Sequence, residues 1–312
     1  MGPFLETLIG GLLVGVLYSL VALGFVLIFK ASGVFNFAQG AMVLFAPLTL
    51  ARLTDIMHPL LGGMALPVAQ IATVGVMIAL AYAIEFLVLR RLVNQEGIIL
   101  FMATIGVTNF LEGFGQTLWG SDIYKLELGL PKQPMFLFES VFEGGILIDP
   151  ADVIAAVIAG ALVLVLAIFF QRTRVGRALR AVADDHAAAQ SVGIPLNQIW
   201  LIVWTVAGLV ALVAGMIWGA KLGVQFSISL VALKALPVLI LGGFTSVPGA
   251  VVGGLIIGAG EKLAEVFLGP ILIKAFDLAG GGIENWFAYV LALVFLVFRP
   301  QGLFGEKIIE RV

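Results

Sequence analysis

Long apolar runs separated by short polar connections dominate the chain. A helix needs about 20 mostly apolar residues to cross a bilayer. Nine runs meet or approach that length, at residues 8–29, 31–50, 67–89, 98–119, 151–170, 199–220, 228–243, 250–268 and 286–298. The runs near Ile228 and Trp286 are short, and the second run contains polar residues and Pro47. The pattern predicts an all-α, polytopic membrane bundle with eight to nine spans, some of them broken or half-spanning.

The composition agrees with burial in lipid. Of the 312 residues, 61% are hydrophobic and 12% are charged, whereas a soluble domain has roughly 45–50% apolar and about 25% charged residues. The mean hydropathy is +1.14. These values exclude a soluble enzyme and a nucleic-acid-binding protein, and they make membrane lipid the main surrounding. The 38 glycines favour helices that approach one another closely.

Basic residues indicate the orientation in the membrane, because Lys and Arg accumulate in cytoplasmic connections. If the N-terminus lies outside, a set of basic residues and the C-terminus fall on the inner, cytoplasmic side. The set is Lys30, Arg90, Arg91, Arg172, Arg174, Arg177, Arg180, Arg299, Lys307 and Arg311. The first residues lack the positive region of a cleaved signal peptide. We therefore expect a retained first span.

Two connections are long. Residues 120–150 form an acidic loop on the predicted outer side, and residues 171–198 form a basic loop on the inner side. Since no low-complexity linker divides the chain, residues 1–312 are predicted to form a single transmembrane domain.

The inner loop is rich in Ala and Leu, which favour helix. Arg174, Arg177 and Arg180 recur every three residues and share a broad face, and Gly193 before Pro195 is a stop signal. Two interpretations stay open for this loop. It either docks a short helix into a groove on another protein or anchors on anionic lipid headgroups.

Two polar amides interrupt the second run. Asn36 and Gln39 lie between Gly33 and Gly40, in a stretch that is expected to cross hydrocarbon. Buried amides need a partner or water there. One interpretation is a discontinuous helix that lines a pathway, and the other is ordinary hydrogen bonding between helices.

A second polar group lies in the fourth run, where Thr108, Asn109 and Glu112 follow Thr104 and precede Gln116. An acid inside a membrane usually faces a cavity or a partner. Glu112 therefore either lines a cavity or lies near the outer end of its helix, where water is close.

Gly242, Gly243, Pro248 and Gly249 mark a turn between two apolar segments, and Ser246 is placed to cap the second one. The glycine pairs also suit close packing alone. The chain contains no cysteine and two distant histidines, so we expect no metal or cofactor within it. It contains no P-loop motif and no evident nucleophile motif, so an enzyme is not expected.

Several motifs occur in a defined order. They are YSLVALG at 18–24, GVFNFAQG at 33–40, GRALRA at 176–181, AAAQSVGI at 187–194, KAL at 234–236, PGAVVGG at 248–254 and RPQGLFG at 299–305. Together they resemble the permease subunits of branched-chain amino-acid ABC importers, of the LivH-like type.

The resemblance implies a permease in the bacterial inner membrane that pairs with a second, LivM-like permease. Two cytoplasmic ABC ATPases would bind ATP and Mg, and an external binding protein would deliver the cargo. Ala187, Ala188, Ala189 and Gly193 resemble the core of the coupling segment in such importers, although Ala187 replaces an acid. The resemblance therefore favours docking of the inner loop on an ATPase.

The cargo stays open at this point. Family members look alike whether they carry branched-chain amino acids, other amino acids, short amides or urea, since specificity lies largely in the external receptor. The passage is expected to be weakly polar, through Asn36, Gln39 and Thr108. The alternative from another class is an ion-coupled secondary transporter that works alone and relies on Glu112 or Glu85.

Overall fold

The computed structural model describes residues 2–33, 35–92, 95–131, 133–137, 145–277 and 282–305, apart from the side chains of His186 and Ala187. This part of the chain is helical almost throughout. Its α-helices are α1 (Gly2–Ser32), α2 (Ala38–Leu61), α3 (Ala65–Leu87), α4 (Gly97–Trp119), α5 (Pro150–Arg172), α6 (Arg174–Asp184), α7 (His186–Ser191), α8 (Leu196–Leu222), α9 (Val231–Lys234), α10 (Leu236–Gly242), α11 (Val247–Leu263), α12 (Gly269–Phe276) and α13 (Ile283–Phe298). The all-α membrane fold predicted from the sequence is confirmed.

Five helical segments within the described residues are long and apolar enough to cross a membrane. One of them, Ala38–Arg91, contains both α2 and α3, which pack against each other. A sixth span results if Phe226–Gly242 and Val247–Phe276 are counted as one broken span, bent by 114°. The predicted count of eight to nine spans is therefore not fully confirmed.

The runs predicted at 228–243 and 250–268 are not simple helices. The first divides into a 3-10 turn (Phe226–Leu230), α9 and α10. The second continues from α11 through one π-helical turn (Ala264–Leu268) into α12. The predicted broken segments are therefore present here.

The chain separates into two compact units. Unit 1 comprises Met1–Ala22, Gly129–Val163 and Lys234–Val312, and unit 2 comprises Leu23–Leu128 and Leu164–Leu233. The boundaries fall inside α1, α5 and α9 and in the loop that follows α4. A single transmembrane domain over 1–312 stays a prediction.

The core of unit 2 is built around α2, which packs against α3, α4 and α8. Every residue of α2 from Ala38 to Ala51 is buried, and a helix that is apolar on all sides is typical of a buried position. Gly215 on α8 lies directly against the backbone of Val43 and the ring of Pro47. The absence of a side chain at Gly215 lets the two helices touch.

Unit 1 is built around α10, α11 and α13, which pack against one another. The part of α1 in this unit contacts α11 through glycines. A Cβ atom added at Gly258 would collide with the backbone of Gly15 and Gly11, and one added at Gly254 would collide with Ser19. Close helix packing through small residues, predicted from the glycine content, is observed here.

The loop predicted at 120–150 contains a short antiparallel hairpin in unit 1. Strand β1 (Met135–Leu137) pairs with β2 (Ile146–Ile148), with Phe136 opposite Leu147. Lys132, Glu139 and Glu143 of this loop lie outside the described residues, as do Lys307 and Arg311 of the predicted cytoplasmic tail.

Candidate functional site

The helix is broken between α1 and α2. Gly33, with φ of +70°, follows the end of α1, and α2 begins at Ala38. Such a positive φ is readily adopted only by glycine. Asn36 is buried in the connection, and its Oδ1 accepts a hydrogen bond from the backbone N of Ala38 at 3.0 Å. Asn36 thus forms a side-chain turn directly before α2 and lies outside the helix.

Gln39 lies in the first turn of α2 and is fully buried. Its Nε2 donates to the carbonyl oxygen of Ala207 on α8 at 3.4 Å, and its amide fills the space over Gly24. The Oε1 atom of Gln39 and the Nδ2 atom of Asn36 are buried without a hydrogen-bond partner. Each amide therefore keeps one unused polar atom inside unit 2, which is uncommon for buried groups.

Thr104 on α4 fixes the broken connection in place. Its Oγ1 accepts a hydrogen bond from the backbone N of Phe37 at 3.3 Å and donates to the carbonyl of Phe101 at 2.8 Å. A cavity of about 10 Å³ adjoins Thr104, with Ser32, Trp200 and Trp204 also in its wall. That volume is about the smallest that holds one water.

The other polar residues of α4 are largely satisfied by their own helix. The hydroxyl of Thr108 donates to the carbonyl of Thr104 at 2.8 Å, and Nδ2 of Asn109 donates to the carbonyl of Ile105 at 2.9 Å. Thr108 and Glu112 are half-buried, whereas Asn109 is exposed. The spacing of four residues places Thr104, Thr108 and Glu112 along one ridge of α4.

The basic loop forms two short helices, α6 and α7. Thr173 caps α6, because its Oγ1 accepts from the backbone N of Gly176 at 3.1 Å. Arg174 and Arg177 are exposed. Arg180 is half-buried and turns back to donate to the carbonyl of Phe170 at 2.6 Å. Of the three predicted arginines, Arg174 and Arg177 therefore lie on the exposed face of α6, and Arg180 lies partly against the end of α5.

The alanine-rich part of the loop is the separate helix α7. Asp185 caps it, since Oδ1 accepts from the backbone N of Ala188 at 2.9 Å. Ala188 is exposed, Ala189 is buried, and the side chain of Ala187 lies outside the described residues. The helix ends before Gly193, whose φ is +87°. The predicted stop at Gly193 is present, and the break at Asp185 was not predicted.

The predicted glycine turn lies between α10 and α11 in unit 1. The predicted cap is present, because Oγ of Ser246 accepts from the backbone N of Gly249 at 3.0 Å. Gly242 and Gly249 lie so close that neither has room for a Cβ atom, and Gly243 abuts the backbone of Gly305. Pro248 is exposed at the start of α11.

The segment after α13 closes this turn. The backbone N atoms of Leu303 and Phe304 donate to the carbonyls of Leu241 and Gly242 at 2.8 and 3.2 Å. The motifs around 242–249 and 299–305, which are distant in sequence, therefore form one structural element.

Sequence reasoning missed a charged cluster in unit 1. Lys234 Nζ lies 2.8 Å from Oε1 of Glu261, which is almost fully buried. The hydroxyl of Tyr18 also donates to this oxygen, at 3.2 Å. An acid within the apolar α11 was the available indication, since ionisable residues inside a membrane usually have a function.

Within the described residues, no group of three His, Cys, Asp or Glu side chains is arranged to hold a metal ion.

A known protein family matches most of this chain, and several relatives match it over nearly their whole length. Residues 7–299 match the family described as branched-chain amino acid transport system / permease component. The chain is 28% identical to the high-affinity branched-chain amino acid transport system permease protein BraD of Pseudomonas aeruginosa, over 99% of this chain and 98% of that protein. It is 24% identical to the corresponding LivH protein of Escherichia coli K12, with the same coverage. The solved structure of PsaBC from Streptococcus pneumoniae in complex with Fab superposes with a TM-score of 0.45 at 15% identity, over 95% of this chain and 92% of that one.

Proposed function

Because this chain belongs to the family of permease components of branched-chain amino acid transport systems, we propose that it is the membrane-spanning subunit of an ATP-driven ABC importer. It moves branched-chain amino acids from an external binding protein into the cytoplasm, across the inner membrane of a bacterium. The match of the family over residues 7–299, on a chain of long apolar helices, carries this proposal.

The partners follow from the same assignment. Two cytoplasmic ATPases bind ATP and Mg, a second LivM-like permease completes the membrane part, and an external protein supplies the cargo. The N-terminus faces outside and the C-terminus faces the cytoplasm. The concentration of Arg around α6 supports this orientation, since basic residues favour the cytoplasmic side.

Helices α6 and α7 are proposed as the segment that couples the permease to an ATPase. Three features support this role. Both helices are short and capped, by Thr173 and Asp185. The exposed surface of α6 presents Arg174 and Arg177. The exposed residue Ala188 gives α7 a small side chain at its surface. A rigid, small-surfaced helix seated in a groove transmits motion of its partner to the spans on either side.

The passage for cargo is proposed to involve Asn36, Gln39, Thr108, Asn109 and Glu112. The unused amide atoms of Asn36 and Gln39 support it, because a polar atom without a partner can bond to a passing solute or to water. Half-buried Thr108 and Glu112 continue the polar ridge along α4. Gly242, Gly243, Pro248 and Gly249 have a structural role in this proposal, as the turn that joins α10 and α11.

The assembly is tested by purification of the tagged chain from its native membranes in mild detergent, followed by mass spectrometry. We expect two P-loop ATPases and a second permease to co-purify, and the ligand of the cognate external receptor to identify the cargo. A chain that purifies alone and still moves solute without ATP would instead support the secondary transporter, with Glu112 as the first residue to change.

A further inference from the structure

Lys234 in unit 1 is shared between two carboxylates. Its Nζ lies 2.8 Å from Oε1 of Glu261 and 3.7 Å from Oε1 of Glu284. Each carboxylate also has a second partner. Tyr18 donates to Glu261 at 3.2 Å, and Lys262 Nζ lies 3.1 Å from Oε2 of Glu284. One ammonium group thus stands between two acids that each retain another donor.

The cluster lies at the N-terminal end of α10. Lys234 is the last residue of α9, directly before α10 begins at Leu236. Glu261 lies on α11, and Glu284 lies in the first turn of α13. Since α10, α11 and α13 pack against one another in unit 1, Lys234 is placed to tie the N-terminal end of α10 to α11 through Glu261 and to α13 through Glu284.

Burial makes the Glu261 contact strong but not fixed. The side chain of Glu261 is 2% exposed, and its Oε2 has no hydrogen-bond partner. The side chains of Lys234 and Glu284 are 29% and 32% exposed, so both have room to move. Removing one member of a buried ion pair is costly because the other charge is left unpaired. Tyr18 and Lys262 reduce that cost here, because neither acid loses every donor when Lys234 shifts.

We propose that Lys234 is a positioning residue of the transport cycle, whose ammonium group moves its close contact between Glu261 and Glu284 and so changes how the N-terminal end of α10 is seated on α11 and α13. The inference rests on the proposed function of an ATP-driven permease. Lys262 sets the balance between the two states. It neutralises Glu284 and thereby leaves Lys234 closer to Glu261, as the structure has it.

Two substitutions bias the exchange in opposite directions. Glu284→Gln removes the second acid and holds Lys234 on Glu261. Lys262→Met leaves Glu284 without its own ammonium and draws Lys234 toward it. In the reconstituted complex, we expect both variants to move at least threefold fewer cargo molecules per ATP. We also expect basal ATPase rates that shift in opposite directions from wild type.

The double variant Lys262→Met/Glu284→Gln tests the order of these effects. Because Lys262 acts through Glu284, the double variant is expected to behave as Glu284→Gln alone. Lys274→Met is the control, since Lys274 is an exposed lysine on α12 of the same unit. This substitution is expected to leave both the cargo moved per ATP and the basal ATPase rate unchanged. Shifts of the ATPase rate in the same direction for both single variants would overturn the inference.

A variant that avoids an unpaired buried charge separates positioning from mere folding. Lys234→Met/Glu261→Gln neutralises both partners, which is often tolerated in protein interiors. We expect the folded complex to hydrolyse ATP while moving at least threefold fewer cargo molecules per ATP. If this variant moves as many cargo molecules per ATP as wild type, Lys234 has a structural role only. That result overturns this inference but leaves the proposed function intact. A wild-type complex without ATP-driven uptake overturns the proposed function and, with it, the inference.

Discussion

The hydroxyl of Ser19 on α1 is shared between two carbonyl oxygens. The oxygen of Gly15 in its own helix lies at 2.9 Å, and that of Val251 on α11 lies at 3.2 Å. Such a bond between a side chain and the backbone of another helix requires the two helices to lie very close. Glycines on both helices provide that proximity, with Gly15 facing Gly254 and Gly258. The packing of α1 on α11 is therefore set by the absence of side chains as much as by the hydrogen bond.

Gly258→Ala is expected to destabilise the protein, because the added methyl group meets the backbone of Gly15 and Gly11. Overpacking of this kind costs about 1–3 kcal/mol. The midpoint of thermal unfolding of the detergent-solubilised complex measures the effect. Gly75→Ala on α3 is the matched control, since nothing lies within 4 Å of its Cβ position. That change is expected to be neutral or to stabilise by roughly 0.5–1 kcal/mol. Equal effects of the two substitutions would contradict the packing account.

Thr104→Val is expected to loosen the connection between α1 and α2. The substitution keeps the shape of the side chain but leaves the backbone N of Phe37 without its acceptor. A buried donor without a partner costs about 1–3 kcal/mol. Thr117→Val is the control, because Thr117 is exposed and its hydroxyl donates to the carbonyl of Gly113 in its own helix. Hydrogen exchange at the start of α2 distinguishes a local opening from global unfolding, and unchanged exchange in Thr104→Val would contradict this role.

The double variant Asn36→Ala/Gln39→Ala is expected to lower uptake by about tenfold, the equivalent of roughly 1.4 kcal/mol in the transport barrier. Uptake is expressed per folded complex in proteoliposomes with the loaded external receptor. Asn36→Ser keeps an oxygen that can accept from the N of Ala38, so it separates the side-chain turn before α2 from a role in the passage. Full uptake by the double variant would exclude both amides from the passage.

Arg177→Glu is expected to uncouple ATP hydrolysis from uptake. The exposed arginine lies on α6, and the reversal of its charge is expected to weaken docking on a partner surface that complements a basic helix. An insertion within residues 187–193 is expected to act in the same way, because it displaces α7. Arg91→Glu changes an equally exposed arginine in another connection and serves as the control. Normal cargo transport by Arg177→Glu would remove α6 from the coupling role.

Some elements of this fold can be predicted from the sequence, and others cannot. The apolar runs and the glycines predict the membrane helices and their close contacts, because both depend on local composition. The helix cap at Ser246 and the helix stop at Gly193 are also local features, and both are found as predicted. The break that one interpretation of Asn36 and Gln39 included is also present, since Gly33 follows the end of α1 and Asn36 lies before α2.

Long-range pairings were beyond reach of the sequence. Tyr18 and Glu261 are 243 residues apart, and their contact depends on the register in which α1 packs on α11. No local pattern specifies that register, because small residues recur along both helices. The acids selected from the sequence were therefore Glu112 and Glu85, whereas the buried Glu261 was not selected. Glu112 is half-buried on α4, and Glu85 is buried on α3 with its Oε1 at 3.4 Å from Nε of Arg90.

We expect this chain to transport cargo only as part of an ATP-driven complex. The most direct measurement is uptake of labelled leucine, isoleucine or valine by proteoliposomes that contain the purified complex, with and without ATP inside and receptor outside. We predict accumulation only when ATP and the loaded receptor are both present. Uptake that needs neither would contradict the account.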